Sequence, residues 1–421
     1  MSGKIFTKDD AHGLRNAVQR IVSETPVTDI HTHLYAPAFG DLLLWGVDEL
    51  LTYHYLIAEY FRYSPMPYDT FWALSKQAQA EAVWQTLFVE RAPLSEACRG
   101  VVTALSRLGV DLAARDLNAI RAWYAARTVE QHVDDVFRTA NLRCAVMTND
   151  PFDEAELPAW EAGWRPDDRF LGALRIDPLL NQWPAACKRL QGWGYAVERE
   201  LNEETLAEVR RFLNDWAGRF EALYCAVSLP PDFAFPEDSV RAQLIAEAVL
   251  PVCRERNIPF ALMIGVTRQV NTALRLAGDG VGTAELGPVE RLCAQYPENK
   301  FMVTMLSREN QHALCVAARK FRNLLVFGCW WFLNNPSLIQ EMTFMRVELL
   351  GASIIPQHSD ARVLDQVVYK WDHSREIITR VLRHKYADLV AAGWPLREED
   401  IRTDVEAMLG GNFWRFLEWK P

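Results

Sequence analysis

With 421 residues, half of them apolar and 24% charged, the chain can bury one large core or two smaller ones, and its composition is that of a globular protein. A formal net charge of −10 excludes a nucleic-acid partner, which asks for basic runs, and obliges any pocket for an acidic ligand to supply arginines locally. No apolar stretch has the length of a membrane span, and the start, Met1-Ser2-Gly3-Lys4, lacks the apolar core of a secretion signal, so a cytoplasmic protein with no membrane partner is expected.

Residues 8–25 carry an amphipathic helical pattern that leads into Val27-Thr28-Asp29-Ile30-His31-Thr32-His33-Leu34. This run is β-prone and apolar, bounded by Pro26 and Pro37, and reads as a short buried strand ending in a loop. Side chains two residues apart on a strand share a face, so His31 and His33 stand side by side and can share a divalent metal. The alternative is a pair of histidines that merely occupy a strand.

From Gly40 to about Val136 the pattern is helical throughout, with Leu42, Leu50, Leu56, Phe71, Val83 and Leu87 at helical spacing. We read residues 40–136 as a mainly helical insertion between the first and second strands of a single domain spanning 1–421. Beyond it, short apolar runs alternate with helical stretches: Cys144–Thr148, Phe170–Ile176, Leu223–Leu229, Phe260–Val266, Phe301–Leu306, Leu324–Cys329 and Ala352–Pro356. With the first strand that makes eight, which predicts an α/β fold, a (β/α)8 TIM barrel of the metal-dependent hydrolase type. An open doubly wound sheet is the competing arrangement, and the polar residues gathered just after the strands argue for the barrel.

Gly278-Asp279-Gly280-Val281-Gly282 lies well past the end of its strand, so we read it as a flexible loop, or a lid, and not as a phosphate cradle. The eight cysteines are far apart with no C-x-x-C and read as buried thiols.

At the strand ends stand His31 and His33, Asn149-Asp150, Arg175 and Asp177, Ser307-Arg308-Glu309-Asn310, Trp330-Trp331-Phe332, and His358-Ser359-Asp360-Ala361-Arg362. Two imidazoles from the first strand and the Asp360 carboxylate from the last make three ligands with room for water or substrate, a pattern suited to one catalytic Zn2+. For Asp360 alone, an N-cap of the following helix is the competing role. Arg175, Arg308 and Arg362 follow buried strands and need partners, either an anionic ligand or an internal carboxylate such as Asp177, Glu309 or Asp360. His54, flanked by tyrosines in the insertion, is either packed or catalytic, while His312 and His373 read as solvent-exposed.

Taken together, these residues resemble the uronate isomerases (glucuronate isomerase), a branch of the amidohydrolase superfamily. The resemblance runs through nearly the whole chain and rests on Asp29-Ile30-His31-Thr32-His33-Leu34, Thr148-Asn149-Asp150-Pro151, Ser307-Arg308-Glu309-Asn310, Phe327-Gly328-Cys329-Trp330-Trp331-Phe332 and Ser359-Asp360-Ala361-Arg362. It implies aldose–ketose isomerisation of hexuronic acids, D-glucuronate to D-fructuronate and D-galacturonate to D-tagaturonate, by proton transfer through an enediol. His31, His33 and Asp360 match the family's metal ligands, Arg175 and Arg362 its substrate-binding groups, and His54 and Tyr55 its His-Tyr pair. Arg308, Trp330 and Trp331 are further substrate-binding candidates. Tyr55, its phenol made more acidic by cationic neighbours, and Asp360 are the candidate bases. A single-metal hydrolase or decarboxylase acting on a small carboxylate substrate is the alternative activity. The implied partner is a small sugar acid, and the reading admits a homo-oligomer. Thr32 and Asn149, where many members carry cysteine and aspartate, together with the short chain, mark a divergent subgroup.

Overall fold

Seven of the eight predicted runs become neighbouring parallel strands in the computed structural model, which describes residues 4–420. The reading of the Met1-Ser2-Gly3 start therefore lies outside the described residues. The strands are β1 (Val27–Thr32), β2 (Leu142–Asn149), β3 (Phe170–Arg175), β4 (Cys225–Leu229), β5 (Phe260–Ile264), β6 (Phe301–Met305) and β7 (Leu324–Val326). They lie in sequence order across one sheet, each joined to the next through helical connections.

Alternation along each strand divides the apolar side chains between two cores. Ala145, Met147, Leu262, Ile264, Phe301 and Val303 pack outward against the helices, whereas Val146, Ala261, Met263 and Met302 converge inward with Ile30, Tyr224 and Phe327. A sheet whose inner residues from first to last strand form one cluster is curled.

The eighth run behaves differently. Ala352–Pro356 forms no regular strand; a single parallel bridge joins Ile355 to Phe327. Pro356 has no N–H to extend a ladder, which is the physical reason the pairing stops there. The chain from Ile355 to Ala361 nevertheless bonds to both edges of the sheet. Gly328 N–H donates to Ile355 O (2.8 Å) on the β7 side, and on the β1 side Asp360 N–H donates to His31 O (3.1 Å) and His33 N–H to Ala361 O (2.8 Å). The β7 run is shorter than predicted because the chain turns at Gly328, whose φ is +65°.

Helix α1 (Ala11–Glu24) is capped by Asp10, whose side chain accepts from Gly13 N–H, and buries Leu14, Val18, Ile21 and Val22. Between β1 and β2 a set of helices includes α2 (His54–Tyr60), with a core of its own built from Leu50, Leu51, Leu56, Ile57, Phe71 and Val83. Val363, just past Asp360, belongs to that core and bridges to Leu44, so the helical region is fastened where the chain ends meet. The helix Val129–Ala140 packs on the sheet instead, through Val133, Val136 and Phe137. A long helix, α3 (Gln366–Ala391), follows the last strand-like segment and crosses beneath the insertion.

Gly278–Gly282 returns as a small antiparallel hairpin, Gly280–Val281 pairing with Val266–Thr267. A Cβ at Gly278 would sit 1.9 Å from Asn271 O, so glycine serves close backbone packing here. All eight cysteines are free and buried. Among the described residues no helix is long and apolar enough to cross a membrane.

Candidate active site

His31 lies on β1 and His33 just past its end, with ring centroids 5.3 Å apart. Their tautomers follow from their neighbours. The Tyr224 hydroxyl donates to Ile30 O (2.8 Å), so toward His31 Nδ1, 3.1 Å away, it can only accept. Thr148 Oγ1 likewise donates to Thr32 O (2.8 Å) and accepts from His33 Nδ1 at 3.0 Å. Both rings therefore carry their proton on Nδ1 and present the Nε2 lone pair to the cavity.

Both lone pairs face Asp360. Its Oδ1 lies 3.6 Å from His31 Nε2 and 3.3 Å from His33 Nε2. These contacts are not ion pairs: burial, reinforced by neighbouring imidazoles and by Arg175 and Arg362, pulls His31 down to about 3 and His33 well below its usual range, so both are neutral. His31 Nε2 and Asp360 Oδ1 are buried with no hydrogen-bond partner. Two lone pairs and a carboxylate oxygen, all within 4.8 Å of one another, cannot satisfy each other and fit a divalent cation. Asp360 is held in this pose at φ +52°, a left-handed conformation that aspartate tolerates better than most residues.

Asp29, fully buried two residues before His31, holds the loop that carries Asp360. Its carboxylate accepts from Ser359 N–H (3.0 Å) and from Trp371 Nε1 on α3 (2.8 Å), and burial pushes it up to about 6. Gly328 makes room for His358: a Cβ there would fall 1.7 Å from its Nδ1. His358 is buried with both ring nitrogens unpartnered, 5.3 Å from the His31 ring.

The same cavity is lined by Tyr53, His54, Arg175, Trp330, Trp331 and Arg362, with Ser228, Met263 and Arg268. The arginines differ in what holds them. Arg175 forms a two-pronged pair with Asp177 (2.8 and 3.1 Å), the internal partner already legible in the sequence. Arg362 has no carboxylate within 4.0 Å among the described residues, and its cation is available to a ligand. Arg308 is not in the cavity. Its side chain is 56% exposed and doubly bonded to Glu341 (2.8 and 3.1 Å), so a partner on the neighbouring helix, and not Glu309 or a ligand, answers its charge.

His54 and Tyr55 open α2, their rings 4.5 Å apart, and His54 lies 5.7 Å from Trp331. Burial lowers His54 to about 3, so it too is neutral, with Nε2 unpartnered. The Tyr55 phenol is shifted opposite to expectation. Burial first, then Tyr53 and Asp360, push it well above 10, and Arg362 opposes only weakly. Tyr55 is thus a proton donor at neutral pH. His373, expected in solvent, is buried and bonded to Glu96 (2.6 Å) and Thr103 (2.8 Å). His312 is exposed as expected.

Comparison with solved structures bears on what this cavity serves. A uronate isomerase from Bacillus halodurans C-125 is 54% identical over 97% of each chain, with a TM-score of 0.96. The chain belongs to the uronate isomerase family. A uronate isomerase from Thermotoga maritima (16% identity, 96% of this chain and 97% of that one, TM-score 0.77) and a glucuronate isomerase from Caulobacter crescentus (15%, 98% and 95%, TM-score 0.74) share its fold. No family model and no curated protein matches the chain.

Within this uronate isomerase fold, several groups at or beside the cavity escaped the sequence reading. Tyr53 adjoins the His54-Tyr55 pair and Arg268 stands just past a strand, so both carried a signal. Tyr224 and Thr148, which fix the imidazole tautomers, lie 193 and 115 residues from the histidines they touch, so although Thr148 opens the Thr148-Asn149-Asp150-Pro151 motif, neither contact was legible from spacing. Replacing Tyr224 by phenylalanine or Thr148 by valine removes one acceptor, and metal affinity is expected to fall about 10- to 100-fold in a competition titration, with the fold retained.

The buried imidazoles also set an acid limit on the metal-stripped protein. His31, His54 and His358 sit near 3 and His33 well below its usual range, against 6.5 when unfolded. At these four sites the unfolded chain binds more protons than the native one below pH 6.5, so each contributes stability that is present above 6.5 and lost as pH falls toward 3, at about 1.4 kcal/mol per pH unit. Asp29 and Asp150, raised to about 6, and Glu156, raised to about 7, oppose it by taking protons first in the native state. In urea melts of metal-free protein, the midpoint of a His54→Gln variant should fall less between pH 7 and 4.5 than that of the wild type. Equal falls in the two proteins would show that His54 takes its proton while folded.

Proposed function

We propose that the protein interconverts aldose and ketose forms of hexuronic acids, D-glucuronate with D-fructuronate and D-galacturonate with D-tagaturonate, with one Zn2+ held by His31, His33 and Asp360. The observation that carries this is the 54% identity over 97% of both chains with a uronate isomerase. We read the fold as a single (β/α)8 barrel domain whose eighth stave is the irregular Ala352–Ala361 segment, with residues 40–136 inserted after the first strand, working in the cytoplasm on a small sugar acid.

When bound, the ion would supply Lewis acidity toward substrate oxygens. The rest is the work of side chains. Arg362, the cavity's arginine with no internal carboxylate partner, takes the substrate carboxylate, and Arg175, fixed by Asp177, donates to hydroxyls. Trp330 and Trp331 wall the cavity and limit water. In the forward direction the open-chain aldose loses the C2 proton while its carbonyl O1 gains one, giving the enediol. Loss of the O2 proton and return of a proton to C1 then give the ketose. Asp360 is the only carboxylate among the described residues lining the cavity, which favours it as the group that takes the C2 proton, and the protonated phenol of Tyr55, packed behind the lining residues Tyr53 and His54, is suited to donate at oxygen.

The test is an assay with each hexuronate in deuterated water. Formation of the ketouronate with deuterium at C1 supports proton transfer, and ketose without solvent deuterium points to a hydride shift. Released carbon dioxide or a hydrolysis product, with no ketose, would overturn the isomerase in favour of a decarboxylase or hydrolase.

A further inference from the structure

Lys370 lies on α3, 3% exposed, with its ammonium 5.5 Å from the ring centres of both Tyr55 and Tyr369. A buried cation normally has committed partners. Two other buried cations do: Lys300 donates to Leu417 O and Trp419 O, and Arg346 to Gly328 O and the Gln311 side chain. Among the described residues Lys370 has neither a carboxylate within 4.0 Å nor a hydrogen bond. The three carboxylates that act on it are engaged elsewhere. Asp29 accepts from Ser359 and Trp371, Glu96 holds His373 and Arg99, and Asp360 faces the two imidazoles. Burial lowers its ammonium to about 8, which still leaves it charged at neutral pH.

A nearly enclosed ammonium that no carboxylate or hydrogen bond holds is free to act on its aromatic neighbours. Of the two phenols it faces, Tyr55 is the one that adjoins the cavity-lining Tyr53 and His54. We propose that Lys370 is a positioning residue for Tyr55: its ammonium fixes the Tyr55 ring by cation–π attraction and favours the negative charge that develops on the phenol as it gives its proton to the substrate oxygen. The proton passes from Tyr55 Oη to that oxygen and is recovered from the O2 hydroxyl or solvent; Lys370 itself transfers none. This role rests on the isomerase reading and on Tyr55 as donor.

The test is Lys370→Met, with Lys370→Gln as a second variant should methionine perturb packing, assayed as full-length metal-loaded protein with D-glucuronate and D-galacturonate. The expected result is a kcat lower by about tenfold or more with KM within about threefold, one metal ion per chain retained, and a melting temperature equal to or above that of the wild type, because an unpartnered buried charge is gone. In a Tyr55→Phe background the same change should cost less than about twofold, since the group it acts through is missing. Unchanged kcat in both variants, an equal loss with and without Tyr55, or a loss that tracks a lowered melting temperature overturns the role. A wild-type protein that converts no hexuronate overturns the isomerase reading and this role with it, whereas an active wild type with an active Lys370→Met variant overturns this role alone.

Discussion

Asp360→Asn is expected to lower hexuronate turnover by about 10⁴-fold or more, the combined loss of a metal ligand's charge and of a positioned base. Asparagine is the informative replacement because it keeps the shape of the side chain and, like aspartate, tolerates the φ of +52°. An alanine there would add backbone strain of about 1 kcal/mol and confuse loss of function with loss of structure. The neutral amide leaves two uncharged imidazoles to hold a divalent ion, so metal content after dialysis should fall together with activity. Asp29, Ser359 and Trp371 still anchor the loop in the variant, and its melting temperature without metal should match that of the stripped wild type. Metal retained at one ion per chain with activity within tenfold of wild type would remove Asp360 from both roles.

The second large effect is expected at Arg362. Substitution by methionine keeps the length and apolar stem of the side chain but removes the cavity's arginine that no internal carboxylate neutralises. We expect kcat/KM to fall about 10³-fold, with KM carrying much of the loss, and little rescue by lysine, whose ammonium cannot reproduce a two-pronged grip. Arg308→Met provides the contrast. Exposed and tied to Glu341, Arg308 should contribute no more than a surface ion pair, and its loss should leave kcat/KM within about twofold. Equal losses at the two positions would show that the pocket is organised differently from the one described.

How much of this was legible beforehand depended on the range of the contacts involved. The His31–His33 pair could be read because strand geometry is local and has a period of two. Asp360 could be read because it follows an apolar run, although that run is no regular strand: apolar content marked Ala352–Pro356 as buried, while Pro356 limited its pairing. Arg175 and Arg308 looked alike in sequence, each a cation after a strand. Their difference came from Asp177, two residues away, and Glu341, thirty-three residues away, and only the first was within reach of a sequence argument. Tyr55 was misjudged in its proton affinity because charge near a residue can be guessed from motifs, whereas the burial that outweighs it is a property of the assembled fold. Lys370 gave no signal at all. A lysine in a long helix ordinarily lies on a solvated face, and only the packing of α3 under the insertion puts this one inside.

The most direct measurement is anomalous scattering from crystals grown with zinc, recorded above and below the zinc edge. One peak per chain is predicted, bounded by His31 Nε2, His33 Nε2 and an Asp360 carboxylate oxygen. A fully active protein whose ion sits elsewhere, or which has no ion between these three side chains, would contradict the account.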